Sequence, residues 1–168
     1  MDVTALYKFS SGLYVVSAAT DDDYGACVIN TGLQLTSQPL QVMVAVNKQN
    51  HTQGVIGRAG HFALTAITQE ADMPYIGRFG FRTSTSFAKF EGIACEQTIL
   101  GDPYTPECAA CMLACEVVQT LDVGTHVVYV GEVKDAKVLS DAAPMTYAYY
   151  HRTLKGKTPP KASSYVAG

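Results

Sequence analysis

Residues 111–139, "CMLACEVVQTLDVGTHVVYVGEVKDAKVL", constrain the fold more than any other part of the chain. Two long runs rich in valine, threonine and tyrosine flank the short turn "DVG". Such runs on either side of a glycine-bearing turn specify two long antiparallel strands. A hairpin of that length is not stable by itself, so further strands must cover its apolar face. The chain supplies them in "LYVVSAAT", "LQVMVAVN" and "HFALTAIT". About seven strands against two to four short helices predict a barrel or sandwich, not a doubly wound α/β sheet.

A chain of 168 residues holds one domain with a real core. Its 48% hydrophobic and 16% charged residues are a globular composition, with apolar surface left for an oligomer to hide. A net charge of −3 and no basic stripe argue against nucleic acid as a partner. No apolar run approaches the roughly 18 residues of a membrane span. No basic and apolar leader opens the chain, so a cytoplasmic location and free thiols at its five cysteines are expected.

Along the chain, "VTALYKF", residues 3–9, predicts a short N-terminal helix. "DDDYG" reads as a solvated turn. In "ACVINTGLQLTSQP" the apolar alternation breaks at Gly32, which marks a bulge or a close backbone approach. "LQVMVAVN" is apolar on both parities and predicts a central strand covered on both faces. Residues 52–59 predict a helix with Asn50 or Thr52 as its N-cap. "MPYIGRFGF" predicts a helix or turn ending at Gly80, "STSFAKF" a short helical or irregular piece, and "IACEQTI" a strand. The tail from Pro144 wraps a surface or frays.

Four constellations bear on chemistry. "ECAACMLAC" sets Cys108, Cys111 and Cys115 at C-x2-C-x3-C, part of a metal signature. Strand geometry puts Cys111, Leu113, Cys115 and Val117 on one face and Cys108 on the other, which favours small core hydrophobes and no metal site. In "NTGLQLTS", Asn30, Thr31, Gln34 and Thr36 offer donors and acceptors suited to the edge of a heteroaromatic ring, or to a solvated strand edge. In "NKQNHT", Asn47, Lys48, Asn50 and Thr52 surround the expected helix start, where free N–H groups and the dipole favour an anion. N-capping also accounts for Asn50 or Thr52. His126 heads a long strand and is either a satisfied histidine or a donor into a pocket. There is no HExxH, Walker loop, dinucleotide fingerprint or nucleophile elbow.

The order "NTGLQLTSQPLQVMVAVNKQNHT", "GRFGF", "KFEGI", "DVGTHVVYVGEV", "PMTYAYYH" resembles the flavin reductase-like, FMN-binding split-barrel family. It is most similar to the flavoprotein domain of NAD(P)H:rubredoxin oxidoreductases. The resemblance implies a mainly β fold, a six-stranded Greek-key split barrel with a few short helices. It implies an FMN-binding domain over residues 1–152, a tail over 153–168 and a homodimer. Carried over by position, Asn30, Thr31, Gln34, Leu35 and Thr36 line the flavin ring and ribityl chain. Asn47, Lys48, Asn50 and Thr52 hold the phosphate. Phe81 approaches the ring or the partner, and His126 sits where nicotinamide stacks. Tyr149, Tyr150 and His151 close the site, and His51 is left outside it. The implied activity is hydride transfer from NAD(P)H to FMN and onward to an acceptor. No paired C-x2-C motifs follow Pro159, so the acceptor stays open among a separate rubredoxin, free flavin and a ferric complex. The alternatives are a flavoredoxin-like carrier not reduced by NAD(P)H, and a non-enzymatic split-barrel binding module.

Overall fold

The computed structural model describes residues 2, 5, 8–160 and 162–165. The helix expected over 3–9 falls largely on residues outside that set. Nine strands are present among the described residues: β1 (Tyr14–Ala19), β2 (Tyr24–Ile29), β3 (Leu33–Ser37), β4 (Leu40–Asn47), β5 (His61–Ile67), β6 (Glu96–Gln97), β7 (Pro103–Tyr104), β8 (Ala109–Asp122) and β9 (His126–Val138). Three helices accompany them: α1 (His51–Ala59), α2 (Met73–Gly80) and α3 (Tyr147–Arg152).

Seven strands form one antiparallel sheet in the order β2-β1-β5-β8-β9-β4-β3. One buried cluster joins Val16 of β1, Cys27 and Ile29 of β2, Val44 and Val46 of β4, Phe62 of β5, Cys115 of β8 and Tyr129 of β9. Strands at opposite ends of a flat sheet do not share a core, so this sheet curls on itself. Six strands, β2 through β4, enclose the core, and the gap between β2 and β4 is the split. Helix α1 plugs the core there with Val55 and Ile56, both fully buried. Strand β3, exposed along its length, is a hairpin extension beyond the barrel. No described helix is long and apolar enough to cross a membrane.

The long hairpin forms as expected, over slightly wider bounds. Its two bulges, between Ala114/Cys115 and Val117/Gln119, bend it around the core. Leu113, Cys115 and Val117 face that core together. Burial pushes the Cys115 thiol up to about 12 and the Cys27 thiol to about 11, so both remain protonated small hydrophobes.

Three expectations are corrected. β4 buries Val42, Val44 and Val46 but leaves Met43 and Ala45 half-buried, because its second face looks onto a pocket and not onto another layer. "IACEQTI" contributes only the two-residue β6, an exposed rung against β7. The segment around Gly32 is two strands, not one bulged strand. A Cβ on Gly32 would stand 2.8 Å from the Tyr14 ring, so the glycine marks a close approach.

Candidate functional site

Where β2 and β4 diverge, a cavity of about 590 Å³, counting the space open to solvent, enters the split. Its apolar walls are Leu13, Val28, Ile29, Val46 and Ile76. Its polar groups come from the ends of elements: Asn30 and Thr31 after β2, Asn47 ending β4, Asn50 before α1, and His126 opening β9. The register sets Asn47 directly opposite His126, so both side chains project from one face of the sheet. His126 is nearly buried, at 9% exposure, and its Nδ1 lies 2.9 Å from the Thr125 hydroxyl.

Helix α1 begins at the pocket because Asn50 caps it. The Asn50 side chain accepts from the Thr52 N–H at 3.1 Å. No acidic residue lies in the first turn itself. Thr52 is not the cap. It is buried beneath the helix, against Gly25 of β2 and beside the Cys27 thiol. His51 pairs with Asp23 at 2.9 Å and stands outside the pocket. The His51 hydrogen bond, with the charges of His51 and Arg58, holds the Asp23 carboxyl below its ordinary value.

Helix α2 delivers Phe81 to the opposite wall. The device that fixes its end is Lys89, fully buried in the irregular segment after it. The Lys89 ammonium donates to the carbonyls of Arg78 (2.8 Å), Phe79 (3.0 Å) and Arg82 (2.5 Å). Burial brings its pKa down to about 8. Helix α3, capped by Thr146, contributes Tyr147 and Tyr150 to the pocket, their rings stacked at 5.9 Å. The tail crosses the mouth: Ser163 donates to the Asn30 carbonyl oxygen and the Asn30 amide donates to Ser164, both at 2.9 Å.

Of the residues singled out in the sequence, Asn30, Thr31, Asn47, Asn50, Phe81 and His126 line this one cavity. Thr31 turns its hydroxyl to the β4 backbone. Lys48 lies beyond the rim and holds Asp122 at 2.5 Å across the β8–β9 turn. Gln34, Leu35 and Thr36 sit on the exposed β3 edge, away from the pocket of their own chain. Tyr150 reaches the cavity, whereas Tyr149 and His151 do not line it. Tyr147 was not among the candidates. Helical spacing from the Thr146 cap, which sets positions 147, 150 and 151 on one face, is the signal that finds it.

Residues 6–158 match the family model described as flavin reductase like domain. The chain is 43% identical over 165 residues to the ferric-chelate reductase (NAD(P)H) of Archaeoglobus fulgidus, covering 98% of each. It is 38% identical over 168 residues to the high molecular weight rubredoxin of Moorella thermoacetica, covering 100% of this chain and 73% of that one. Among solved structures, nitrilotriacetate monooxygenase component B from Mycobacterium thermoresistibile superposes with a TM-score of 0.75 at 20% identity, over 86% of this chain and 79% of that one. The flavin reductase PheA2 superposes with a TM-score of 0.71 at 20% identity, over 85% and 88%. A split barrel with this pocket, matched by that family model along nearly its whole length, belongs to the flavin reductase-like domain family.

Proposed function

We propose that the pocket holds FMN and that the chain, as a homodimer, takes electrons from NAD(P)H and passes them to an acceptor such as a ferric chelate or a rubredoxin. The observation that carries this reading is the convergence of Asn30, Asn47, Asn50 and His126 on an apolar slot at the N-terminus of α1. The donor set fits the group. Amide side chains that donate and accept match the mixed edge of a flavin ring. The apolar walls match its faces. The start of α1, with Asn47 and Asn50 beside it, matches a terminal phosphate. When bound, FMN supplies the chemistry that links a hydride donor to an acceptor of single electrons.

The residues of the chain bind and orient. Asn47 and Asn50 hold the phosphate end, and Asn30 holds the ring edge. Lys48 stands just before the α1 N-terminus, ion-paired with Asp122, and reaches the phosphate end when it exchanges that partner. His126 stands where a nicotinamide ring enters and positions it. Gln34, Leu35 and Thr36 act across the dimer. Leu33, Leu35 and Leu40 expose an apolar edge that a second copy covers.

The protein purified with FMN tests this reading in one anaerobic experiment. The expected results are a dimer mass by sedimentation, stoichiometric FMN, and bleaching of the flavin by NADH or NADPH. A colourless protein, or bound FMN that neither nucleotide bleaches, removes the reading. His126→Ala is expected to slow that bleaching about tenfold or more, within the range for loss of one positioning contact, with FMN retained. Unchanged stopped-flow reduction sinks the role of His126.

A further inference from the structure

We propose that the face formed by α3 and the tail after it binds the phosphates of the pyridine nucleotide. This rests on the reading above that NAD(P)H is the hydride donor. A second cavity, about 1160 Å³ counting open space, lies beside the flavin pocket. Phe9, Tyr147, His151, Arg152, Lys157 and Thr158 line it. Tyr147 lines both cavities, so one aromatic wall separates them. The Ser164 hydroxyl joins the two sides: it donates to the Tyr147 hydroxyl at 3.1 Å and accepts from Asn30 at 2.9 Å. A dinucleotide with its nicotinamide in the first cavity has its phosphates within reach of the second.

Charge selects the occupant. The chain is acidic as a whole, at −3. Yet no acid follows Asp141, whereas Arg152, Lys155, Lys157 and Lys161 do. None of the described residues lining the second cavity is acidic, and Arg152 and Lys157 are exposed at it. A pyridine nucleotide brings two phosphates, and NADPH a third. The two phosphates common to both nucleotides are matched by two charge-assisted donors here, Arg152 and Lys157, and the local field draws the substrate to the mouth. Phe9, 87% exposed beside these cations, offers a platform for the adenine.

The fold holds this face in shape. His151 Nδ1 lies 2.8 Å from the Gly156 carbonyl oxygen, and Thr158 is bonded to the Tyr147 hydroxyl at 2.5 Å. The backbone at Gly156 lies so close to Tyr150 that a Cβ there would stand 2.0 Å from its ring. Arg152 and Lys157 therefore sit on an anchored surface and not on a loose end.

The test is anaerobic stopped-flow reduction of the FMN-loaded protein, with whichever of NADH and NADPH bleaches the wild type. In Arg152→Ala/Lys157→Ala the apparent dissociation constant should rise about tenfold or more while the limiting rate stays within about twofold. The wild-type constant should rise with ionic strength more steeply than that of the variant. Arg152→Lys/Lys157→Arg, which keeps the charges, should stay close to wild type. Equal constants in wild type and the alanine variant overturn the proposal. So does an unchanged nucleotide constant with a raised KM for a rubredoxin or ferric chelate, which makes this face an acceptor site. A wild type bleached by neither nucleotide is read before any variant and counts against the parent reading.

Discussion

Lys89→Met is expected to destabilise the protein by about 3 kcal/mol, to lower Tm by roughly 10 °C and, with FMN in the pocket as proposed, to release it. Methionine fills the volume but cannot donate. A buried ion pair can often be replaced by hydrophobes at no loss, because both charges leave together. Here the partners are the backbone carbonyls of Arg78, Phe79 and Arg82, which no side-chain change removes. Each carbonyl left buried without a donor costs about 1–3 kcal/mol. Against that stands the relief of desolvating a cation, visible in a pKa brought down to about 8 by burial. The three carbonyls outweigh it. The end of α2 then loosens, and Phe81 leaves the pocket wall with it. Calorimetry and flavin content measured together decide the matter. A Tm within a degree of wild type, with FMN retained, refutes the argument.

Gly25→Val is expected to cost about 3 kcal/mol and to release FMN. Elsewhere in a strand, valine for glycine is favourable by roughly 1 kcal/mol, through backbone entropy and β propensity. Gly25, however, lies under the first turn of α1. A Cβ there would stand 2.6 Å from the Thr52 Cα, which is backbone and has no rotamer to yield. The helix must move. It is pinned on its other side, where Gln53 donates to the Tyr129 hydroxyl at 2.7 Å and Tyr129 donates back to the Gln53 carbonyl at 3.0 Å. Val55 and Ile56 leave the core, and Asn50 leaves the pocket. Gly54→Ala in the same helix is the control. Its Cβ meets only the far end of Arg58 at 3.4 Å, so that variant should gain about 0.5–1 kcal/mol. Chemical denaturation of both variants separates contact with β2 from a general intolerance of α1. Equal effects of the two substitutions remove the explanation.

What could be read in the sequence was local. The valine-rich runs around "DVG" gave the long hairpin because strand length and turn chemistry are short-range signals. Asn50 named the start of α1 for the same reason. The order of five motifs, and not any one spacing, placed Asn30, Asn47, Asn50 and His126 in one pocket. What could not be read depends on distant partners. Lys89 sits in "STSFAKF" like any solvated lysine, and the carbonyls that bury it carry no residue signature. Asp102 looks like a turn residue, yet it is fully buried, bonded to His61 at 2.8 Å and to the Ala19 N–H at 3.0 Å. "LQVMVAVN" promised two covered faces because a ligand pocket and a packed layer ask for the same apolar residues. Tyr147 shows in the sequence only once Thr146 is taken as the cap of α3, because six residues are too few for a periodicity to stand out without it.

Thr31 has a consequence of a different kind. Beyond the last β3 rung at Met43, its hydroxyl donates to the Ala45 carbonyl at 2.8 Å and accepts from the Ala45 N–H at 3.2 Å. One side chain thereby imitates the rung that another strand would have formed. A bare stretch of β4 would be adhesive to any extended peptide, including the β3 hairpin of another copy in the wrong register. With that rung made, β4 offers no backbone pair at Ala45 to a passing strand, and the opening beside it stays a pocket and does not become a seam.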